Sequence, residues 1–200
     1  MGVINNVKAI HKEHQNSDFL LSQSCWGHKK QYLKQCLNKH ILGLKNDFVI
    51  FNNEHFLEYS NRCSSFCFNT INLGGTILFV SSNDNYKELT LFFTLRSFQR
   101  FYIKKWFGGL ITNNLLNCKV PDVFIVSNLK HDSYVLKEAS TKLIPVISIE
   151  DSDHDLHKSF YSVFANDDKK DSIFLFYNIL TNSIIKSLLI KHSINLINKL

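Results

Sequence analysis

A chain of 200 residues, 44% hydrophobic with 17 Phe and only 2 Pro, is long enough to bury a core and too apolar for a disordered segment. Its formal net charge of +6 suits a polyanionic partner and argues against an acidic, solvating role. The 5 cysteines are odd in number and lack disulfide-framework spacing, which points to a reducing compartment.

In chain order, residues 1–46 read as a helix and an irregular basic arm, and residues 47–200 as an α/β domain of three layers, the whole forming a single structural domain. The opening residues carry no apolar segment of secretory length, and Asn6 stands where myristoylation needs Ser or Thr. From Phe19 to Asn46 there is no acid, while Lys29, Lys30, Lys34, Lys39 and Lys45 fall there. The run Phe48-Val49-Ile50-Phe51 predicts the first buried strand. Asn52 or Asn53 then caps a helix with Phe56, Tyr59, Cys63, Phe66 and Cys67 turned inward. Ile77–Val80 is the second strand. Asn83 or Asp84 opens a helix burying Tyr86, Leu89, Phe93 and Leu95. Phe101-Tyr102-Ile103 is a shorter strand.

A second acid-free window runs from Leu89 to Pro121 and holds Arg96, Arg100, Lys104, Lys105 and Lys119. Val123–Val126 and Val146–Ile149 are further strands. The helix between them places Val135, Leu136, Ala139 and Leu143 inward and stops at Pro145. Asn166-Asp167-Asp168 begins a long C-terminal helix, with an Asn cap and acids at the positive end of the dipole. That helix is apolar, but Asn178, Asn182, Ser183, Lys186 and Lys191 interrupt it, so it reads as a buried amphipathic helix without membrane insertion. Apolar runs alternating with helices predict a flavodoxin-like, doubly wound, mostly parallel sheet of about five strands.

This architecture invites a nucleotide-binding enzyme, yet neither Asn52-Asn53 nor Ser81-Ser82 after the early strands supplies a glycine-rich phosphate turn. Gly74-Gly75 precedes a strand instead of following one, and no nucleophile elbow occurs. The acids Glu150, Asp151, Asp153, Asp155, Asp167, Asp168 and Asp171 suggest a magnesium site or an acid–base pair; solvated loops and helix starts explain them more simply. Cys63 and Cys67, like the pairs His11/His14 and His154/His157, lack the accompanying CxxC of a zinc site. The expectation is therefore no catalytic residue, no cofactor and no metal, with a Rossmann-like enzyme and a metal-dependent protein as the alternatives.

The basic windows fit RNA better. Lysine and arginine supply phosphate contacts, and Trp26, Tyr32, Tyr102 and Trp106 are interleaved as stacking candidates. The segment Lys104-Lys105-Trp106-Phe107-Gly108-Gly109-Leu110-Ile111-Thr112-Asn113 resembles the Arg-Trp-x-Gly-Gly-x-Leu-Thr-Asn signature of the small ribosomal subunit protein 2 family. Gly27-His28, Gly74-Gly75-Thr76-Ile77-Leu78-Phe79-Val80, Pro121-Asp122, Glu138-Ala139, Ile144-Pro145-Val146, Asp151-Ser152-Asp153 and Asn166-Asp167-Asp168 with Ser172-Ile173 follow in that family's order. The long helical hairpin of bacterial members is absent, since only Asn114 to Val120 separates Asn113 from Pro121.

The resemblance implies a non-catalytic constituent of a ribosomal small subunit. It would bind rRNA and neighbouring small-subunit proteins on the solvent side near the head–body junction, close to the mRNA exit region. The rRNA-binding candidates are Trp26, His28, Lys29, Lys30, Lys34, Arg96, Arg100, Lys104, Lys105, Thr112 and Asn113; the structural motif comprises Gly27, Trp106, Gly108, Gly109, Asn166, Asp167 and Asp168. Both Gly108 and Gly109 are expected to resist a β-branched side chain. Abundant Lys, Asn, Ile and Phe suggest an AT-rich organellar genome, with the mitochondrion preferred over a plastid or a bacterial cytoplasm.

Overall fold

A computed structural model describes residues 17–113, 115, 119–154 and 159–197. His11, His14, Cys118, Asp155 and His157 lie outside them. Two sheets form the molecule. Strands β1 (Trp26–Lys29), β2 (Ile41–Lys45) and β3 (Phe48–Phe51) make an antiparallel sheet in the order β1-β3-β2. Strands β4 (Ile77–Val80), β5 (Arg100–Tyr102), β6 (Val123–Val126), β7 (Val146–Glu150) and β8 (Tyr161–Phe164) make a parallel sheet in the order β5-β4-β6-β7-β8. Counted within that sheet the order is 2-1-3-4-5, the flavodoxin-like doubly wound arrangement.

The strand count agrees with expectation, but its membership differs. Phe48–Phe51 is not in the parallel sheet. It is the central strand of the antiparallel one, with Phe48 exposed and only Val49 and Phe51 buried. A short apolar run does not distinguish the two settings. Lys45 pairs with Phe48 across Asn46 and Asp47, whose φ values of 49° and 63° fold the two-residue turn of a tight hairpin. The expected irregular arm thus contributes β1 and β2. The fifth parallel strand is β8, an edge strand in which Tyr161 and Ser162 are half-buried, so no continuous apolar run advertises it.

Helix α1 (Asn53–Asn72) is capped by Asn52, whose side chain accepts from the Glu54 N–H at 2.9 Å. Helices α2 (Lys87–Arg96), α3 (Ser133–Thr141) and α4 (Lys170–Ile197) follow it along the chain. The larger core, including Phe56, Cys63, Cys67, Phe93, Tyr177 and Ile184, gathers α1, α2 and α4 over one sheet face; the smaller one places Val135 and Ala139 of α3 with Trp106, Leu110 and Ile111.

On α2 the buried stripe is Tyr86, Thr90, Phe93, Thr94 and Ser97, and Leu95 points outward, contrary to expectation. The hydroxyls of Thr90, Thr94 and Ser97 donate to the carbonyls four residues back at 2.8–2.9 Å, so they enter the core already satisfied. Leu143, expected on the inward face of α3, lies beyond the end of that helix with φ 55° and is 91% exposed. Residues 170–194 of α4 are long and apolar enough to cross a membrane, but Ile173, Phe176, Tyr177, Leu180 and Ile184 pack into the core.

Candidate nucleic-acid interface

The Trp-Phe-Gly-Gly segment follows β5 and turns under α3. Trp106 is buried, its ring 5.0 Å from Tyr102 and 5.8 Å from Phe124, so it anchors the segment and is not free to stack on a base. Gly109 has φ +97°, and a Cβ there would lie 3.0 Å from Asn113 Nδ2. Gly108 differs: its Cβ would meet nothing closer than Glu138 Oε1 at 3.9 Å. Only one of the two glycines is thus demanded by the backbone.

Glu138, a buried acid on α3, accepts hydrogen bonds from the backbone N–H groups of Gly109 and Ile111, the latter at 2.9 Å. Sequence reasoning missed that role. Its signal was an acid between Val135 and Ala139 on the inward helix face, where a charge persists only with partners. The clamp presents Lys104 and Lys105 on one side of the turn and Thr112 and Asn113 on the other, all exposed.

Arg96 and Arg100 are engaged within the molecule. The Arg96 guanidinium donates to Asn178 and Asn182 of α4 at 3.2 and 3.0 Å. That of Arg100 donates to the Lys119 carbonyl at 2.7 Å and to Thr76 Oγ1 at 3.2 Å.

The N-terminal basic window lies elsewhere. Lys29, Lys30 and Lys34 are exposed, and Trp26 is half-buried against Phe48 with the Lys45 ammonium 5.7 Å from its ring centroid. β1 sits over the carboxyl ends of β7 and β8. At Gly27 a Cβ would lie 3.0 Å from Ser152 Oγ and 3.1 Å from Asp151 Oδ1, so a side chain would push the two sheets apart. The Asn166 side chain donates to the Trp26 carbonyl at 2.6 Å and accepts from the Asp168 and Lys169 N–H groups, joining β1 to the entry of α4. The Gly-Gly segment packs under α3 against Phe124 of β6, whereas β1 docks at the carboxyl end of β7 through Asp151 and Ser152.

His28 turns inward to acids. Its Nδ1 is 3.1 Å from Asp151 Oδ1 and 4.0 Å from Asp153 Oδ1, and its Nε2 is 3.1 Å from Asp168 Oδ2. The close Asp151 carboxylate, against the cost of burial, pushes the imidazole up to about 9. Asp167 is pushed up to about 7, first by burial and then by the Asp151 charge. Burial alone would raise Asp153 too, but its contact with Lys130 at 2.7 Å and the His28 charge hold it below the ordinary carboxylate value. Burial draws His154 down.

At the switch point between β4 and β6, where doubly wound sheets take ligands, the protein's own side chains meet. Ser127 Oγ donates to Ser81 Oγ at 3.1 Å, and Asp132 accepts from the Ser82 N–H at 3.1 Å.

The chain matches the family model described as ribosomal protein S2 over residues 19–117 and 116–187. It is 22% identical to the small ribosomal subunit protein uS2m of Marchantia polymorpha, covering 74% of this chain and 82% of that protein. It is 22% identical to uS2 of Karelsulcia muelleri (80% and 93% covered) and 24% identical to uS2 of Shewanella sediminis (80% and 85%). The matched residues take in the Gly-Gly turn, its Glu138 clamp and the docked Gly27-His28 strand, and the chain belongs to the ribosomal protein S2 family.

Proposed function

We propose that the protein is a structural, non-catalytic constituent of a small ribosomal subunit that binds rRNA and neighbouring subunit proteins. The observation that carries the reading is the family match spanning both the Gly-Gly turn and the N-terminal strand, with exposed lysines beside each. Within it, Lys104 and Lys105 neutralise phosphate beside a turn whose backbone can approach closely, and Lys29, Lys30 and Lys34 act from the second window. Thr112 and Asn113 fix position. Arg96 and Arg100 would have to exchange internal partners for RNA, and Trp26 would contribute its exposed ring edge. The neighbourhood is the solvent side of the head–body junction near the mRNA exit region.

The compartment is the mitochondrion. The Lys-, Asn-, Ile- and Phe-rich composition and the presence of a uS2m among the relatives support this, while the bacterial relatives keep a bacterial cytoplasm as the second reading. Co-sedimentation with small subunits from fractionated mitochondria is the expected result; the same experiment on plastid and cytosolic fractions decides the compartment.

The site is tested by salt dependence. Replacing Lys104 and Lys105 together by Ala should flatten the log–log slope of rRNA binding by roughly 0.7 to 0.9 for each lost phosphate contact, with the largest loss of affinity at low salt. Lys169 and Lys170, exposed beside Asp168 and Asp171, should do much less when replaced. Equal losses from the two double variants would remove the Gly-Gly turn as the contact site.

A further inference from the structure

All five parallel strands begin at one end of the molecule, opposite the end where β1 docks. A bulky apolar residue precedes each of them by no more than four positions. In sheet order these are Phe98, Leu73, Val120, Leu143 and Phe160, before β5, β4, β6, β7 and β8. All five are exposed, and Leu73, Phe98 and Leu143 are 86–91% exposed.

Two of these side chains stand where the backbone disfavours them. Helices α1, α2 and α3 end in the same turn, closed by a backbone bond from Gly75 to Thr70 at 2.9 Å, Gln99 to Thr94 at 3.0 Å and Ile144 to Ala139 at 2.9 Å. The residue inside that turn takes positive φ and is ordinarily Gly or Asn. Helix α1 uses Gly74 at φ 85°, but α2 uses Phe98 at 53° and α3 uses Leu143 at 55°. Neither side chain is buried by the arrangement. Large apolar groups held in solvent against the backbone preference mark a surface that something else covers.

The relief of this end is concave. A groove of about 570 Å3 is lined by Phe66, Leu136, Leu143, Ile144, Pro145 and Phe160. A second, of about 400 Å3, shares Phe66 and is bordered by Leu73, Lys119 and Asp122. The surrounding charge is positive. Lys119 and Lys142 are exposed, and the Lys191 ammonium lies 3.4 Å from the position a Cβ would take at Gly74. Asp122 is occupied by the Thr76 N–H and hydroxyl at 2.7 and 3.1 Å.

We propose that this end docks a segment of a neighbouring small-subunit protein, whose bulky apolar side chains enter the two grooves and whose flanking carboxylates meet Lys119, Lys142 and Lys191. RNA fits poorly, because Leu73, Val120 and Leu143 offer phosphates no donor and bases no ring to stack on. A second copy of this chain would set the same lysines against each other. The inference rests on the ribosomal reading, which supplies protein neighbours, but it uses none of the lysines given there to phosphate.

The test replaces Leu143 or Phe160 by p-benzoylphenylalanine in tagged full-length protein assembled into small subunits, with Tyr134 at the other end of α3 as the control position. After irradiation the crosslinked peptides are sequenced. Positions 143 and 160 should capture the same small-subunit protein, at a peptide with apolar residues flanked by Asp or Glu, and position 134 should not. Lys119→Glu with Lys142→Glu should lower the yield from position 160 about tenfold, and Leu143→Ala about fivefold. Crosslinks to rRNA, to a second copy or to nothing, a captured peptide without acids, or an unchanged yield after charge reversal would overturn the docking surface. If the charge-reversed protein does not assemble, the identity of the peptide captured without that change still decides. Protein that never sediments with small subunits would instead remove the ribosomal reading, and this inference with it.

Discussion

Gly108 and Gly109 are adjacent and look equivalent, but a single backbone angle separates them. At Gly109, φ is +97° and the space for a Cβ is taken by Asn113, whereas at Gly108 the space is open. Gly109→Val should therefore cost about 2–3 kcal/mol through left-handed strain and crowding. Gly108→Val should change stability by no more than about 0.5 kcal/mol. Urea midpoints of the two variants check this, and equal losses would show that the turn tolerates neither. The same scale shows what sequence leaves hidden. An inward Glu138 is visible on a helical wheel, but its targets, two N–H groups 29 and 27 residues earlier, exist only once the chain has folded.

At the scale of elements, the strands buried on both faces were legible, because β4, β6 and β7 are continuous apolar runs. Strand β8 was not, since an edge strand with half-buried Tyr161 and Ser162 loses that signature. The α2 stripe was misread for a related reason: its threonines look polar in sequence but carry satisfied hydroxyls in the fold. The residues of the Gly-Gly segment could be named from sequence, whereas the inward turn of His28 depends on acids more than 120 positions away.

The link between α3 and the segment after β5 yields its own expectation. Glu138→Ala removes both acceptors of the clamp and should destabilise the protein by about 3 kcal/mol. Glu138→Gln keeps one acceptor, turns an amide NH2 toward the other N–H, and should fall between. Exposed Glu88→Ala is the control, and thermal melts that rank it equal to Glu138→Ala would deny the clamp any weight.

Across the whole molecule, the antiparallel sheet is docked by a charged joint. His28 binds a proton on folding because its imidazole rises from the ordinary value near 6.5 to about 9. A raised basic group stabilises fully below its unfolded value and loses that contribution as pH rises through the folded one. Asp167, raised to about 7, also loses its contribution with rising pH, but that is spent by about pH 7. His154, drawn down, acts only below its ordinary value. Burial raises the thiols of Cys25, Cys63 and Cys67 above their ordinary value near 9, so they add to the fall only toward pH 9, and the window from pH 7 to 8 belongs to His28. The urea midpoint should fall across it, and His28→Asn should flatten the fall. A wild-type midpoint constant between pH 7 and 8 would mean that the joint does not depend on the imidazolium.

The crossover from β5 to β6 is fastened at both ends. Glu138 grips its start, Asn113 N–H returns to the Gly109 carbonyl, Arg100 holds the Lys119 carbonyl, and Asp122 locks onto the Thr76 N–H and hydroxyl. Such anchoring uncouples the length of the intervening chain from the register of the sheet. Evolution can lengthen or trim this stretch as a replaceable cartridge, while the scaffold that receives it keeps its shape.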